Sequence, residues 1–179
     1  MIIGCQNQQP DNDFVTEKWS NGKPKVIELK TQRDNSISYQ LEFDSIGRLK
    51  EFKPLTDNRI DGSQIYFRDN AELGAVLNHV DGKREGYTYE FYPGAQIAFQ
   101  GIASDDQFHG PTEWYHKNGQ VEATGQRLND QYDGEWIEYH ENGQIRAKGT
   151  YTNGKKNDDW TYWTETGEIK EKNTAGNKK

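Results

Sequence analysis

The groups with which this chain could do chemistry are four histidines, one cysteine and 29 acidic residues. His116 and His140 stand 24 residues apart in closely similar contexts, EWYHKNGQ and IEYHENGQ. On paired strands that spacing puts their side chains on one face about 10 Å apart, too far to share an ion. A zinc site needs three or four ligands at about 2.0–2.3 Å, and His79 and His109 fall in other contexts. No metal site is expected. Among the carboxylates, Asp105-Asp106, Asp130, Asp133, Glu135, Glu138, Glu141 and Asp158-Asp159 lie mostly at turn signals or opposite lysines. A glycosidase needs two acids held about 5–10 Å apart in a cleft. A calcium site needs oxygen ligands converging from irregular loops. Turn chemistry accounts for these residues more simply than either. No G-x-S-x-G elbow, P-loop or G-x-G-x-x-G occurs, and Cys5 has no histidine nearby in sequence. The expectation is a protein that is not an enzyme, with no catalytic residue, cofactor or metal.

Composition narrows the scaffold. Only 31% of the 179 residues are hydrophobic, against roughly 45–50% in an average globular chain. Aromatics nevertheless reach 12%, with ten Tyr and five Trp, which argues against simple disorder. Polar residues, aromatics and 18 Gly together suit a thin, turn-rich β structure. The net charge of −7 disfavours nucleic acid as a partner. No apolar run is long enough for a membrane-spanning helix.

The chain repeats itself every 24 residues, with units starting at Ser38, Gly62, Gly86, Gly110, Gly134 and Asp158. Counting the start as zero, position 5 holds Phe43, Phe67, Phe91, Tyr115, Tyr139 and Trp163. Position 11 holds Leu49, Leu73, Ile97, Val121, Ile145 and Ile169. Each unit carries two turn signals. The first is clearest at Asn142-Gly143, which predicts a two-residue hairpin with both residues at positive φ. The second is Asp57-Asn58, Asp81-Gly82, Asp105-Asp106, Asn129-Asp130 and Asn153-Gly154, again types that tolerate left-handed backbone. Two strands per unit follow, and helix is hard to fit anywhere. Asn21-Gly22 and Asp34-Asn35 look like the turns of a degenerate first unit. The predicted fold is all-β: an elongated single antiparallel β-meander sheet of 24-residue two-strand repeats.

Parity along the strands separates the faces. Odd positions carry the recurrent apolar residues, such as Ile137, Tyr139, Ile145 and Ala147 in one unit, which predicts stacked columns on one face. Even positions carry Tyr66, Trp114, Trp136, Trp160 and Tyr162 on the opposite face. Trp and Tyr are favoured interface anchors, so these five are the candidate partner-binding residues. Cross-strand stacking within a one-layer sheet is the competing role. An open sheet also has two edges. Lys170 and Lys172 defend the last strand, so the apolar run near Lys23 to Leu29 is the edge expected to pair with another chain.

The series Gly134, Trp136, Tyr139, Asn142, Gly143, Ile145, Asn153, Gly154, Lys155 resembles the bacterial variant of the MORN repeat, the membrane occupation and recognition nexus. WSNGKPK at 19–25 is similar. The resemblance spans about residues 19–171, although Gln40, Gln64, Thr88 and Thr112 stand where the tryptophan would be. It implies a protein- or lipid-contacting scaffold rather than an enzyme. Some bacterial relatives are described as antitoxin components of the YwqK type, which implies masking of a toxin as the alternative role. Glycan binding or glycan processing is a minor alternative. At the other end, Ile2-Ile3-Gly4-Cys5 resembles a bacterial lipobox, followed by the tether-like QNQQPDND. The basic and apolar parts of a signal peptide do not precede it. The expectation is therefore a truncated leader with lipidation at Cys5, and the alternative is an ordinary thiol. The resulting division is 1–12 lipobox and tether, 13–172 repeat domain and 173–179 disordered tail. It describes a membrane-tethered scaffold in the cell envelope with an unidentified protein partner, cytoplasmic if Cys5 is not lipidated.

Overall fold

The computed structural model describes residues 14–31, 34 and 36–172. Cys5, the tether, Asn35 and the tail after Lys172 lie outside the described residues. The remainder forms one antiparallel sheet of 16 strands in which successive strands pair as a meander. The strands are β1 (Val15–Lys18), β2 (Pro24–Lys30), β3 (Ile37–Phe43), β4 (Leu49–Thr56), β5 (Arg59–Ile60), β6 (Gly62–Phe67), β7 (Leu73–Val80) and β8 (Lys83–Phe91). They continue with β9 (Ile97–Ser104), β10 (Gln107–Tyr115), β11 (Val121–Leu128), β12 (Gln131–Tyr139), β13 (Ile145–Thr152), β14 (Lys155–Lys156), β15 (Thr161–Trp163) and β16 (Ile169–Lys172). The short β5 and β14 pair only back onto β4 and β13. No α-helix occurs among the described residues, as the turn spacing predicts.

The two turn classes are assigned differently from the sequence expectation. At Asn142-Gly143 only the glycine takes positive φ, at 81°. His140 N–H donates to Gln144 O at 2.8 Å, and Gly143 N–H to His140 O at 2.9 Å. This is a longer loop in which a tight turn ends in a left-handed residue, not a two-residue hairpin. Asn142 serves through its side chain instead: its Oδ1 accepts from Gln144 N–H at 3.0 Å. The two-residue hairpins with paired positive φ are the second class, for example Asn129 (52°) with Asp130 (66°). The loop at Trp19 has the same hydrogen bonds as that at Asp44, so the first unit is one residue longer than the period.

Each longer loop is followed by a bulge, and this limits the parity argument to the positions before it: Ile137, Tyr139 and Ile145 share a face as expected, but Ala147 does not join them. Tyr139 pairs with Ile145, but Glu138 pairs with Ala147, leaving Arg146 as an extra residue. A bulge shifts every later side chain to the opposite face. Ala147 therefore joins Trp136 rather than Ile137 and Tyr139. A second bulge falls at the repeat start, where Gly134 (φ 70°) separates the part of β12 paired at Asp133 from that paired at Trp136.

The buried column combines position 2 with the odd positions past the bulge, such as Phe99, Ala103 and Ala147. From the second unit on, position 2 holds Gln64, Thr88, Thr112, Trp136 and Trp160, all buried, whereas Gln40 in the first is half-buried. The position 11 residues Ile145 and Ile169 are 38% and 64% exposed. The expected edge is corrected as well: β1 covers the start of β2, pairing Val15 with Ile27 and Lys18 with Pro24.

Candidate functional site

Strands β10 to β15 bring Trp114, Trp136, Trp160 and Tyr162 into one aromatic cluster, joined by Tyr132, Tyr151, Ala123 and Ala147. Tyr66 does not take part. It lies on β6, with β7 to β9 between it and β10, and is 38% exposed. Its hydroxyl accepts from Gln64 Nε2 at 2.8 Å. Burial and then the charge of Glu51 raise its pKa. Of the five residues singled out by parity, Trp136 (4%) and Trp160 (1%) are the most enclosed. Their burial makes them part of the sheet's own packing and leaves little indole area for a partner. Trp114 and Tyr162 are half-buried beside them.

Glycine makes this burial possible. Trp136 pairs across β11–β12 with Gly125, and a Cβ there would overlap the indole ring. A Cβ at Gly149 would lie 2.5 Å from the Trp160 ring. Each tryptophan therefore lies flat on the preceding strand, where only glycine leaves room for a ring against the backbone. Around them the rings meet edge to face or tilted, with centroids 4.5 Å apart for Tyr132–Trp136 and 5.3 Å for Tyr151–Trp160. Such geometries suit the ring quadrupoles. Trp160 Nε1 donates to Thr150 O at 3.0 Å. Trp136 Nε1 is buried without a partner among the described residues.

Tyr132 and Tyr151 were not among the sequence candidates, and neither were two cations set against the rings. The Arg127 guanidinium lies 4.9 Å from the Tyr132 centroid and 5.2 Å from that of Trp114. Lys156 Nζ lies 3.7 Å from that of Trp160. The signal that would have found the cluster was the recurrent glycine at position 15, Gly101, Gly125 and Gly149, facing position 2 of the next unit. Beside Ala123 the cluster opens into a cavity of about 210 Å³ lined by Trp114, Tyr132, Trp136 and Tyr151 and by Glu122 and Glu138. Burial, and after it the charge of Glu138, raises the Tyr151 pKa. On the opposite face, burial and a hydrogen bond to Glu113 push Tyr115 to about 12.

His116, His140 and several turn residues are structural stitches. His116 Nε2 donates to Tyr139 O at 2.9 Å, and His140 Nε2 to Trp163 O at 3.0 Å, each reaching the next repeat's turn. Asn118 and Asn142 make the same step to Glu141 O and Glu165 O. Asp105 pairs with Lys83, and Asp130 accepts from Phe108 N–H at 2.8 Å. Asp159 accepts from Thr150 N–H at 3.0 Å. Among the described residues no group of three His, Cys, Asp or Glu could hold a metal ion.

No curated protein matches the chain. Two solved structures share part of the geometry. One is a point mutant of S. aureus TarM in complex with Fondaparinux, alpha-GlcNAc-glycerol and UDP, with 14% identity and TM-score 0.39 over 61% of this chain and 21% of that one. The other is TarM, with 15% identity and TM-score 0.37 over 60% and 20%. The chain spans about a fifth of each, and at these scores neither likeness bears on fold or function. The two stretches that supply Trp114, Tyr132, Trp136 and Tyr151, residues 108–129 and 132–153, match the MORN repeat variant.

Proposed function

We propose that the protein is a non-enzymatic interaction scaffold, tethered to a membrane through a lipid on Cys5, that presents its sheet to a protein partner in the cell envelope. The observation that carries the interaction reading is the register of the sheet. The same side-chain position recurs on every second strand, so an extended surface displays regular rows rather than a single site. Proteins of this build use such surfaces for contact along the array. The match of two repeats to the MORN variant is consistent with an interaction module.

The interaction is tested by cross-linking the tagged full-length protein in its own cells and rebuilding any captured complex from purified components. A saturable complex of defined stoichiometry supports the scaffold. Capture of nothing that rebinds when purified would refute it. A partner that is toxic alone and neutralised on co-expression would assign the antitoxin role instead. Turnover of a glycan by the purified protein would replace the scaffold with an enzyme. The tether is a separate matter, tested by palmitate labelling of the full-length gene product and its Cys5→Ala variant. Label on the wild type alone, with globomycin-sensitive processing, supports it; an unlabelled protein in the soluble fraction rules it out.

A further inference from the structure

The row of rings on β9 to β15 already binds cations, and these belong to the chain itself. The Arg84 guanidinium lies 5.4 Å from the Phe108 ring centroid. Arg127 lies 5.1 Å from Phe108 and contacts Trp114 and Tyr132 as well. At the far end Lys156 sits over Trp160 and 5.5 Å from Tyr162. Between these ends the pattern changes. The repeat position that holds Arg127 holds Tyr151 one unit later, and the position that holds Lys156 holds Tyr132 one unit earlier. Aromatic residues thus replace both cations at these positions: Arg127 already covers the Trp114 and Tyr132 rings, while no cation lies over Trp136 or Tyr151 among the described residues.

That is where the 210 Å³ cavity lies. Ala123 pairs with Trp114 on one neighbouring strand and with Glu138 on the other, so its methyl group leaves open a space between a ring and a carboxylate. Glu138 is shared with Arg146 at 3.4 Å, whereas Glu122 has no ion-pair partner among the described residues. Rings with carboxylates beside them attract a cation through quadrupole and charge together. The volume is below the roughly 300–1,000 Å³ of small-molecule sites and suits one side chain. The net charge of −7 favours a basic partner over an acidic one.

We propose that the cavity beside Ala123 receives a lysine or arginine side chain from a protein partner, completing the row of ring-bound cations. The inference rests on the interaction reading above and names the chemistry of the partner. The full-length protein is titrated with a Gly-Ser peptide bearing one central lysine, its arginine counterpart and an uncharged norleucine control. The readouts are calorimetry and the fluorescence of Trp114 and Trp136. The charged peptides are expected to saturate and the norleucine peptide to bind at least tenfold more weakly. Glu122→Gln with Glu138→Gln is expected to weaken the charged peptides at least tenfold with unchanged circular dichroism. Ala123→Leu, which fills the space and leaves both acids in the sequence, is expected to abolish binding in a folded protein.

Equal binding of the norleucine peptide would overturn the proposal, as would equal binding by either variant. Phosphatidylcholine vesicles that bind where the peptides do not would overturn it in favour of a lipid headgroup. A purified partner that binds wild type and both variants alike would overturn the pocket and leave the scaffold reading standing.

Discussion

At the scale of single residues, the unit of this structure is a tryptophan laid on a glycine. The Gly125–Trp136 and Gly149–Trp160 contacts leave no room for a methyl group, so Gly125→Ala forces the indole off its rotamer or the strands apart. Overpacking of this kind costs about 1–3 kcal/mol. In a Trp136→Leu background the same Gly125→Ala change should cost markedly less, because the obstructing ring is gone. Urea titrations of the four proteins check this, and additive effects would show that the contact is not limiting. The two indoles also differ in their N–H groups. Trp160 Nε1 is bonded to Thr150 O, while that of Trp136 is buried without a partner. Replacement by Phe creates a similar void in both but sacrifices a hydrogen bond only at Trp160. Trp160→Phe should therefore be the more destabilising by about 1 kcal/mol.

At the scale of elements, the longer loops set the register, and their key residue is the left-handed one just before the strand that follows each loop. Glycine occupies it in most repeats, but Ala71 and Ala95 are held there at φ 63° and 62°. A side chain in that region costs about 1–2 kcal/mol, partly offset by the unfolded-state entropy that glycine adds. Ala71→Gly and Ala95→Gly should each raise the melting temperature, with a net gain of about 0.5–1 kcal/mol. A fall in either would mean that neighbouring contacts of the methyl group outweigh the strain. Acids at turns bond within their own loop, as Asp44 does, or to a neighbouring strand, as Asp69 and Asp159 do. The backbone N–H of Arg48, its guanidinium and Ile46 N–H keep the Asp44 carboxyl at about 2. Hydrogen bonds from Thr150 lower Asp159, and Lys50 lowers Asp69. A carboxyl lowered by folding stabilises the protein above its unfolded pKa, near 4, and that stability is lost as pH falls through the folded value. The melting temperature should drop from pH 4 to 2, and less steeply in Asp44→Asn. The repeat, the strand count per unit and the second turn class were legible from spacing, because Asp and Asn pairs declare left-handed backbone directly. The faces were not. Arg146 looks like an ordinary strand residue, and nothing in its type announces the bulge that moves Ala147 beneath Trp136. The aromatic cluster was half legible: its tryptophans stood out, but Tyr132 and Tyr151 lie beyond the bulges that parity could not cross.

At the scale of the whole molecule, an open meander has contacts only between neighbouring strands, so stability is distributed rather than pooled in one core. It is distributed unevenly. Phe99, Ala103, Trp136, Ala147 and Trp160 are buried in the C-terminal half together with the polar Thr112, whereas buried positions from β3 to β8 are all polar: Ser38, Gln64, His79 and Thr88. Native-state hydrogen exchange should therefore find the slowest amides on β11 to β13 and the fastest on the edge strands β1 and β16. The decisive comparison is with Trp160→Ala, a loss of about 3–5 kcal/mol of packing at one end of the array. If coupling is between neighbours, protection should collapse from β13 to β16, weaken over β11 and β12, and persist on β3 to β7. Turn stitches such as His140 Nε2 to Trp163 O tie each unit chiefly to the next, so the lesion has few routes to travel further. Uniform loss of protection from β2 to β16 would instead identify a single cooperative unit, with the polar half held in place by the aromatic one.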